Sequence, residues 1–179
     1  QILQPSQPAG FGDGLEQVGT VLGNPVGWAE NLGDRIMGVR LGSGDHGVEY
    51  NFGEYRYGSI QGAVYHDLND NGLFETHESG IEGVELQLYD SQGNLLERAS
   101  TDAQGRYQFG ELLAGTYRVV EIQPEGFVDG KDALGTVGGM PMGAVESDGD
   151  GMAGITLAAG KAGIDYNFGE IQYGTIRGR

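Results

Sequence analysis

The sequence contains a long internal repeat, and this repeat constrains the fold more than any other feature. Residues 11–62 recur 116 positions later as residues 127–178, without a gap and with about half of the aligned residues identical. The clearest match is Tyr50-Asn-Phe-Gly-Glu54, which returns as Tyr166-Asn-Phe-Gly-Glu170. Solenoid repeats span only about 20–50 residues, so a period of this length is that of a whole domain. The chain is therefore interpreted as a section of a tandem array.

The repeat also sets the expected domain boundaries. One complete unit is expected at residues 58–170. Residues 1–57 correspond to the C-terminal part of a preceding unit, and residues 171–179 to the first strand of a following unit. Neighbouring repeats of the same chain, or other copies of it, are the first expected partners.

The complete unit has the pattern of short strands. Val84, Leu86 and Leu88 alternate with more polar residues, which is the period of a half-buried strand. Glycine accounts for 35 of 179 residues but lacks the three-residue period of collagen. Turn-rich segments separate about seven such strands, which predicts an all-β antiparallel sandwich. The glycine-rich segments 13–40 and 129–153 are predicted to be long irregular loops.

The residues with the clearest chemical role lie in one turn, residues 67–78. Oxygen-bearing residues alternate there as in the twelve-residue calcium loop, with Gly72 at the sharp turn of position 6. Calcium takes about six to eight hard oxygen ligands, so this spacing predicts a Ca²⁺ site. Because the turn lies between predicted strands, the site is expected to be structural. The expected ligands are Asp67, Asn69, Asn71, Leu73 through its carbonyl, Glu75 directly or through water, and Glu78 through both oxygens.

A second metal site is a weaker hypothesis. Four aspartates lie in glycine-rich turns, and two of them, Asp129 and Asp150, recur as Asp13 and Asp34 in the repeat. The alternative is plain turn chemistry, in which an aspartate bonds its own backbone, and it stays open. The four candidate ligands are Asp129, Asp132, Asp148 and Asp150.

Composition excludes several classes of protein. The net charge of −16 disfavours binding to nucleic acid or to anionic membranes. The absence of cysteine excludes disulfides, and no apolar run is long enough to span a membrane. His46, His66 and His77 are widely spaced and suggest no catalytic triad or dyad, so we do not expect an enzyme.

Several motifs in order resemble one known family. Ser59-Ile-Gln-Gly-Ala-Val-Tyr-His-Asp-Leu-Asn-Asp-Asn-Gly-Leu-Phe-Glu75 is similar to the start of the B domain of bacterial serine-aspartate repeat surface proteins. The resemblance implies a Greek-key sandwich of the Cna B or prealbumin type, rigidified by calcium and presented outside the cell. Further matching motifs lie at residues 80–86, 101–109, 114–119, 123–132 and 166–170.

The resemblance also raises the question of an isopeptide bond, which related Cna B domains form between Lys and Asn or Asp beside a Glu. Glu121 and Asn167 stand where the Glu and Asn are expected. The first strand has no lysine, and the only lysines, Lys131 and Lys161, lie in predicted loops. We therefore expect no such bond and regard calcium as the source of rigidity.

Three functions remain to be weighed. A structural spacer repeat of a surface adhesin or matrix protein is favoured by the tandem units and the calcium loop. A binding module for a glycan or a matrix protein is the second, with the irregular loops as its site. An accessory domain of a large secreted hydrolase is the third. Each places the chain outside the cell, at the bacterial surface or secreted.

Overall fold

The computed structural model describes residues 1–4, 6–30, 34–147, 149–174, 176 and 178. These residues form strands and turns, and none of them lies in a helix that could cross a membrane. The chain divides into two compact units, residues 1–57 and residues 58–179.

The first unit consists of short strands in three small sheets, ordered β1-β6-β5, β2-β8 and β4-β3-β7. These strands are β1 (Ile2–Leu3), β2 (Phe11–Asp13), β3 (Thr20–Val21), β4 (Asn24–Pro25), β5 (Trp28–Ala29), β6 (Arg35–Met37), β7 (Gly47–Val48) and β8 (Glu54–Arg56).

The second unit contains the longer strands. They are β9 (Gly58–His66), β10 (Glu85–Asp90), β11 (Leu95–Ser100), β12 (Arg106–Leu112), β13 (Gly115–Glu121), β14 (Val128–Asp129), β15 (Thr136–Val137), β16 (Met140–Pro141), β17 (Ala144–Val145), β18 (Gly151–Leu157), β19 (Ala162–Ile164) and β20 (Phe168–Ile171).

Two sheets face each other in the second unit. The first has the order β11-β10-β13-β18-β17, and the second has the order β14-β20-β9-β19-β15-β16, with β12 also paired to β9. After β11 in the first sheet, the chain crosses to the second sheet and forms β12. It then returns to the first sheet, where β13 lies beside β10. Strands β10 to β13 thus follow the Greek-key order. The predicted all-β sandwich is confirmed, although β9 runs parallel to β19 and β20.

Alternating side chains of both sheets form the core. Leu86 and Leu88 of β10 and Val119 of β13 are fully buried against Phe109 of β12 and Phe168 of β20. Each such side chain contributes about 1.5–3 kcal/mol relative to an exposed position. The period-two pattern in the sequence therefore identified the core face correctly.

The glycine-rich segment 129–153 is more regular than predicted. It contains the hairpin of β15 and β16, whose turn residues Gly138 and Gly139 both have positive φ, 62° and 81°. A two-residue hairpin turn of this kind requires positive φ at both positions, which glycine supplies. The prediction of a long irregular loop was wrong here, because two-residue strands are too short to show a period.

The described residues after Ile171 do not form the strand that was predicted for residues 171–179. Ile171 ends β20, and residues 172–174, 176 and 178 lie in no strand. The remaining positions, Thr175, Arg177 and Arg179, lie outside the described residues.

Candidate metal sites

The turn after β9 is organised around the carboxylate of Asp67, which is 1% exposed. Its Oδ1 accepts hydrogen bonds from the backbone N–H groups of Asn69 and Asn71, each at 3.2 Å, and its Oδ2 from that of Gly72 at 2.7 Å. Burial alone would raise the pKa of Asp67, but these backbone donors outweigh it and lower the pKa. Asp67 is therefore ionised at neutral pH and fixed at the start of the turn.

Glu78 closes the other end of the turn. Its Oε1 accepts the backbone N–H of Leu68 and its Oε2 accepts that of Glu75, both at 2.9 Å. The side chain is 9% exposed, so its two oxygens lie within the turn. One carboxylate thus links the first and the last quarter of the segment.

The middle of the turn converges on Glu75. The side-chain amides of Asn69 and Asn71 both donate to Glu75 Oε2, at 2.9 Å and 3.1 Å. Ligand atoms of Glu75, His77 and Glu78 lie within 4.8 Å of one another. The structure therefore gathers most of the predicted side chains. His77 is an addition, although calcium prefers oxygen to its nitrogen.

The backbone of the turn fits the predicted loop as well. Gly72 has a φ of 76° and Asp70 a φ of 53°, so the chain makes the sharp turn that position 6 requires. The N–H of Leu73 donates to Asn71 Oδ1 at 2.7 Å. With their hard oxygens and excess negative charge, these residues fit Ca²⁺. We call Asp67, Asn69, Asn71, Leu73, Glu75 and Glu78 the loop site.

A second acidic cluster lies between the two sheets. Glu121 of β13 is 2% exposed and Glu170 of β20 is fully buried. Asp129, Asp132 and Asp150 surround them and act electrostatically on Glu121. We call these five residues the sheet site.

Burial and mutual repulsion perturb the sheet site strongly. Burial, followed by the charges of Glu170 and Asp132, raises the pKa of Glu121 to about 10. Burial likewise raises the pKa of Asp132 to about 8, although a backbone donor from Gly169 opposes this. Burial raises the pKa of Glu170 to about 7, although the hydrogen bond from Gln123 acts to lower it. The cluster therefore resists carrying its full negative charge without a cation.

Unpaired oxygens point to the same conclusion. Glu121 Oε1, Glu170 Oε1 and Asp132 Oδ2 are buried and have no hydrogen-bond partner. A buried polar group without a partner costs about 1–3 kcal/mol, and more if it is charged. Several converging carboxylate oxygens are the ligand set that calcium takes, so the residues of the sheet site fit this ion.

Three of the four aspartates predicted as a second metal site belong to this cluster. Asp129, Asp132 and Asp150 do lie together, whereas Asp148 lies outside the described residues. Glu121 and Glu170 were not predicted as ligands. For Glu121 the signal is the alternation of Tyr117, Val119 and Glu121, which places a carboxylate on the inward face of β13. For Glu170 the signal is its recurrence as Glu54.

The first unit contains a related cluster. Ligand atoms of Asp13, Glu16 and Asp34 lie within 4.8 Å of one another. The N–H of Gln4 donates to the carbonyl of Asp34 at 3.0 Å, as that of Glu121 does to Asp150 at 2.9 Å.

Gln4 therefore occupies the position that Glu121 has in the second unit. The side-chain amide of Gln4 donates to Glu54 Oε1 at 2.5 Å. The cluster of the first unit thus has an amide in place of the most perturbed carboxylate.

Two of the residues considered for an isopeptide bond, Asn167 and Lys131, are hydrogen-bonded elsewhere. Asn167 Oδ1 accepts the backbone N–H of Ala63 at 2.9 Å. The Nζ of Lys131 donates to the carbonyl of Asp70 at 2.5 Å, and Lys161 is exposed ahead of β19. The expected absence of the bond stays a prediction.

The Greek-key sandwich, with acidic sites in its turns and between its sheets, places the chain in the class of β-sandwich repeat modules. The family model described as SdrD B-like domain matches residues 58–170, and the chain belongs to this family. Serine-aspartate repeat-containing protein C of Staphylococcus aureus (strain Newman) is 33% identical over 141 residues, covering 79% of this chain and 13% of that protein. The protein of strain N315 matches equally. The chain thus spans a small part of these relatives.

Two solved structures have a weak similarity to this chain. The TIE protein of Bacillus anthracis has 15% identity and a TM-score of 0.44, covering 86% of this chain and 25% of that one. GBS52, a minor pilin of Streptococcus agalactiae, has 12% identity and a TM-score of 0.43, covering 76% of this chain and 56% of that one. Similarity with TM-scores below 0.5 carries no inference.

Proposed function

We propose that this chain is a calcium-rigidified spacer repeat of an extracellular bacterial adhesin or matrix protein, exposed at the cell surface or secreted. The observation that carries the proposal is the loop site, where Asp67 and Glu78 are buried and hold the two ends of the turn. Membership of the SdrD B-like family supports the surface role. The proposal includes no catalytic step.

The sheet site explains how a cation would stiffen the module. Glu121 belongs to the sheet of β10 and β13, whereas Glu170 belongs to the sheet of β9 and β20. A cation held by both would join the two sheets through the interior. Removing the cation would leave buried carboxylates that repel each other, so the filled state is expected to be the stiffer one.

Calcium binding tests the proposal directly. We expect calorimetry on the full chain to detect Ca²⁺ binding and thermal unfolding to shift to higher temperature in calcium than in chelator. A ligand that binds only the folded state adds about 2.7 kcal/mol at a hundredfold excess over its Kd. Identical melting curves in chelator and in millimolar calcium would contradict the proposal.

Two glutamate substitutions separate the loop site from general charge effects. Glu78→Gln removes a buried carboxylate of the loop site and should abolish most of its calcium-dependent stabilisation. Glu82→Gln makes the same chemical change at an exposed turn position and should retain it. Equal responses of the two variants would show that the loop site does not hold the ion.

A binding module is the second candidate. A groove of about 480 Å³ lies beside β9 and β12, and Phe74, Arg106, Gln108, Asp165 and Asn167 help to line it. An exposed ring next to planar polar groups suits a glycan or a peptide. Loss of binding to a glycan or matrix-protein array after Phe74→Ala would support this function, and an array without any bound ligand would count against it.

A further inference from the structure

Strand β12 is an edge strand, because among the described strands it is hydrogen-bonded to β9 alone. On its other side β9 continues the sheet through β19 and β20. Strand β11, which precedes β12, likewise ends the opposite sheet, and the two strands lie close together. The sandwich therefore has one side where both sheets end in an edge. An exposed edge of this kind is a template for a further strand.

The pairing with β9 determines which main-chain groups of β12 face this edge. The N–H of Val64 donates to the carbonyl of Gly105 at 2.8 Å, at the start of the antiparallel ladder. Hydrogen-bonded and non-hydrogen-bonded pairs alternate along such a ladder. Tyr107 and Phe109 therefore direct their main-chain groups to β9. Gln108, between them, directs its N–H and carbonyl to the free edge.

The free part of the edge is short. The N–H of Arg106 donates to Asp102 Oδ1 at 2.8 Å, and its carbonyl accepts the N–H of Asp102 at 2.9 Å, so the preceding turn closes one end. A bulge between Phe109 and Leu112 ends the regular pairing at the other. Among the described residues, no turn or loop bonds to the main chain of Gln108. The unpaired edge is therefore centred on Gln108.

A recess lies on each face of the sheet at this edge. On the outer face is the groove described above, which the exposed side chains of Arg106 and Gln108 help to line. On the inner face, between β11 and β12, is a recess of about 490 Å³ with Leu88, Leu96 and Leu112 in its lining. Side chains of a strand alternate between the two faces. Successive side chains of an added strand would therefore enter different recesses.

The charges around the edge favour a basic occupant. Glu97 and Glu111 line the inner recess, and Asp102 and Asp165 line the groove. Arg106 is the single cation among the described residues that line either recess. The whole chain has a net charge of −16, so a second copy would be repelled, whereas a basic segment would be attracted.

We propose that the free edge of β12 binds an extended peptide segment of another protein, which pairs with it as an additional strand. Apolar side chains of the segment enter the inner recess, and the alternating basic side chains lie along the groove. In this mode of recognition, main-chain hydrogen bonds give affinity and the alternate side chains give specificity. The proposal rests on the binding module, our second candidate function, and specifies its ligand. It does not depend on calcium.

The experiment uses the full chain and a fluorescent peptide of alternating valine and lysine, with the 7 residues that β12 has. We expect this peptide to bind in an anisotropy titration, and a peptide of alternating valine and glutamate not to bind. Hydrogen exchange followed by NMR adds a measurement that is specific to strand addition. The amide of Gln108 should exchange more slowly with the peptide bound, because its N–H then has a main-chain partner.

Two substitutions test the two parts of the interaction. Gln108→Pro removes the N–H that faces the free edge and leaves the bonds to β9, a position where strands tolerate proline. It should weaken peptide binding by about tenfold, the effect of one hydrogen bond. Leu96→Ser removes an exposed side chain of the inner recess and should also weaken binding. Ile122→Ser is the matched control, since Ile122 is 46% exposed, as against 52% for Leu96, and does not line the recess.

The outcomes separate this inference from the function on which it rests. Unchanged exchange at Gln108 with the peptide bound, or equal binding by the Leu96→Ser and Ile122→Ser variants, would overturn strand addition at this edge. Binding of a glycan that is lost in Phe74→Ala, without binding of the peptide, would overturn the peptide and leave the binding module. Association of the full chain that Gln108→Pro abolishes would make a second copy the occupant and overturn the inference. If neither peptide, glycan nor matrix protein binds, both the inference and the binding module fail.

Discussion

The carboxyl group of Glu121 lies in the interior beside that of Glu170, one from each sheet of the sandwich. Both side chains are almost or fully buried, and each has one oxygen without a hydrogen-bond partner. Burial, with Glu170 as the largest charged contributor, raises the pKa of Glu121 to about 10. Two acids held together in this way should make the stability of the protein depend on pH.

In chelator, the stability of the protein should fall as pH rises. The folded pKa values of Glu121 and Glu170, about 10 and about 7, both exceed the ordinary value of 4.5. Below that value both states hold the protons. Above it the unfolded state releases them while the folded state retains them, so the free energy of unfolding falls towards each folded pKa. The slope is at most about 1.4 kcal/mol per pH unit for each retained proton.

Calcium should remove this dependence, because the cation favours the ionised carboxylates that high pH supplies. Urea unfolding from about pH 5 to about pH 8, with and without calcium, measures the difference. Glu121→Gln should flatten the curve in chelator, whereas Glu97→Gln, exposed on β11, should not. A stability that rises with pH in chelator would show that the cluster is not buried in this way.

Gly62 in β9 should not tolerate alanine. A Cβ there would lie 1.8 Å from the carbonyl oxygen of Tyr166, so the backbone of one segment would have to move. Overpacking of this kind costs about 1–3 kcal/mol or more. Gly110→Ala in β12 is the matched control, because a Cβ there meets nothing within 4 Å. Urea midpoints that fall equally for both variants would contradict the close approach.

The intact chain should contain no isopeptide bond. Asn167 already accepts a backbone hydrogen bond from Ala63, and Lys131 is held at Asp70. Intact-mass spectrometry of the denatured protein should give the mass of the unmodified sequence. A deficit of one ammonia or one water would reveal a bond, and peptide mapping of Lys131 and Lys161 would then locate it.

The loop site could be predicted from the sequence because its ligands are contiguous. Asp67 and Glu78 belong to a single turn, so their spacing alone is enough to predict that they lie together. The sheet site is assembled from strands that are distant in sequence, with Glu121 and Glu170 contributed by different sheets. No local spacing predicts that these two glutamates lie close together. The inward position of Glu121 on β13 was nevertheless a detectable sign that its carboxylate is buried.

The same distinction applies to the fold. The alternating strand that became β10 was predicted because burial on one face imposes period two. The parallel pairing of β9 with β19 and β20 was missed, because strand direction depends on the route of the whole chain. The short hairpin of β15 and β16 depends on its two glycines and not on a hydrophobic pattern.

Residues 1–57 should be less protected than the equivalent part of the second unit. Leu41 is 56% exposed, whereas its counterpart Leu157 is 2% exposed. Val48 is likewise more exposed than its counterpart Ile164. In the second unit, β9 pairs with β19, the strand that carries Ile164. Hydrogen exchange should therefore be faster at residues 47–56 than at residues 163–172.

Uncovered strands of this kind also favour association with other copies. The early strands of the second unit, β9 to β12, can by sequence similarity accept either residues 127–170 or residues 11–57, so strands can exchange between chains. Light scattering on residues 1–179 and on residues 58–170 tests this. The longer chain should associate increasingly with concentration, and the shorter should remain monomeric. If both are monomeric and residues 47–56 are as protected as residues 163–172, the first unit is complete by itself and no exchange occurs.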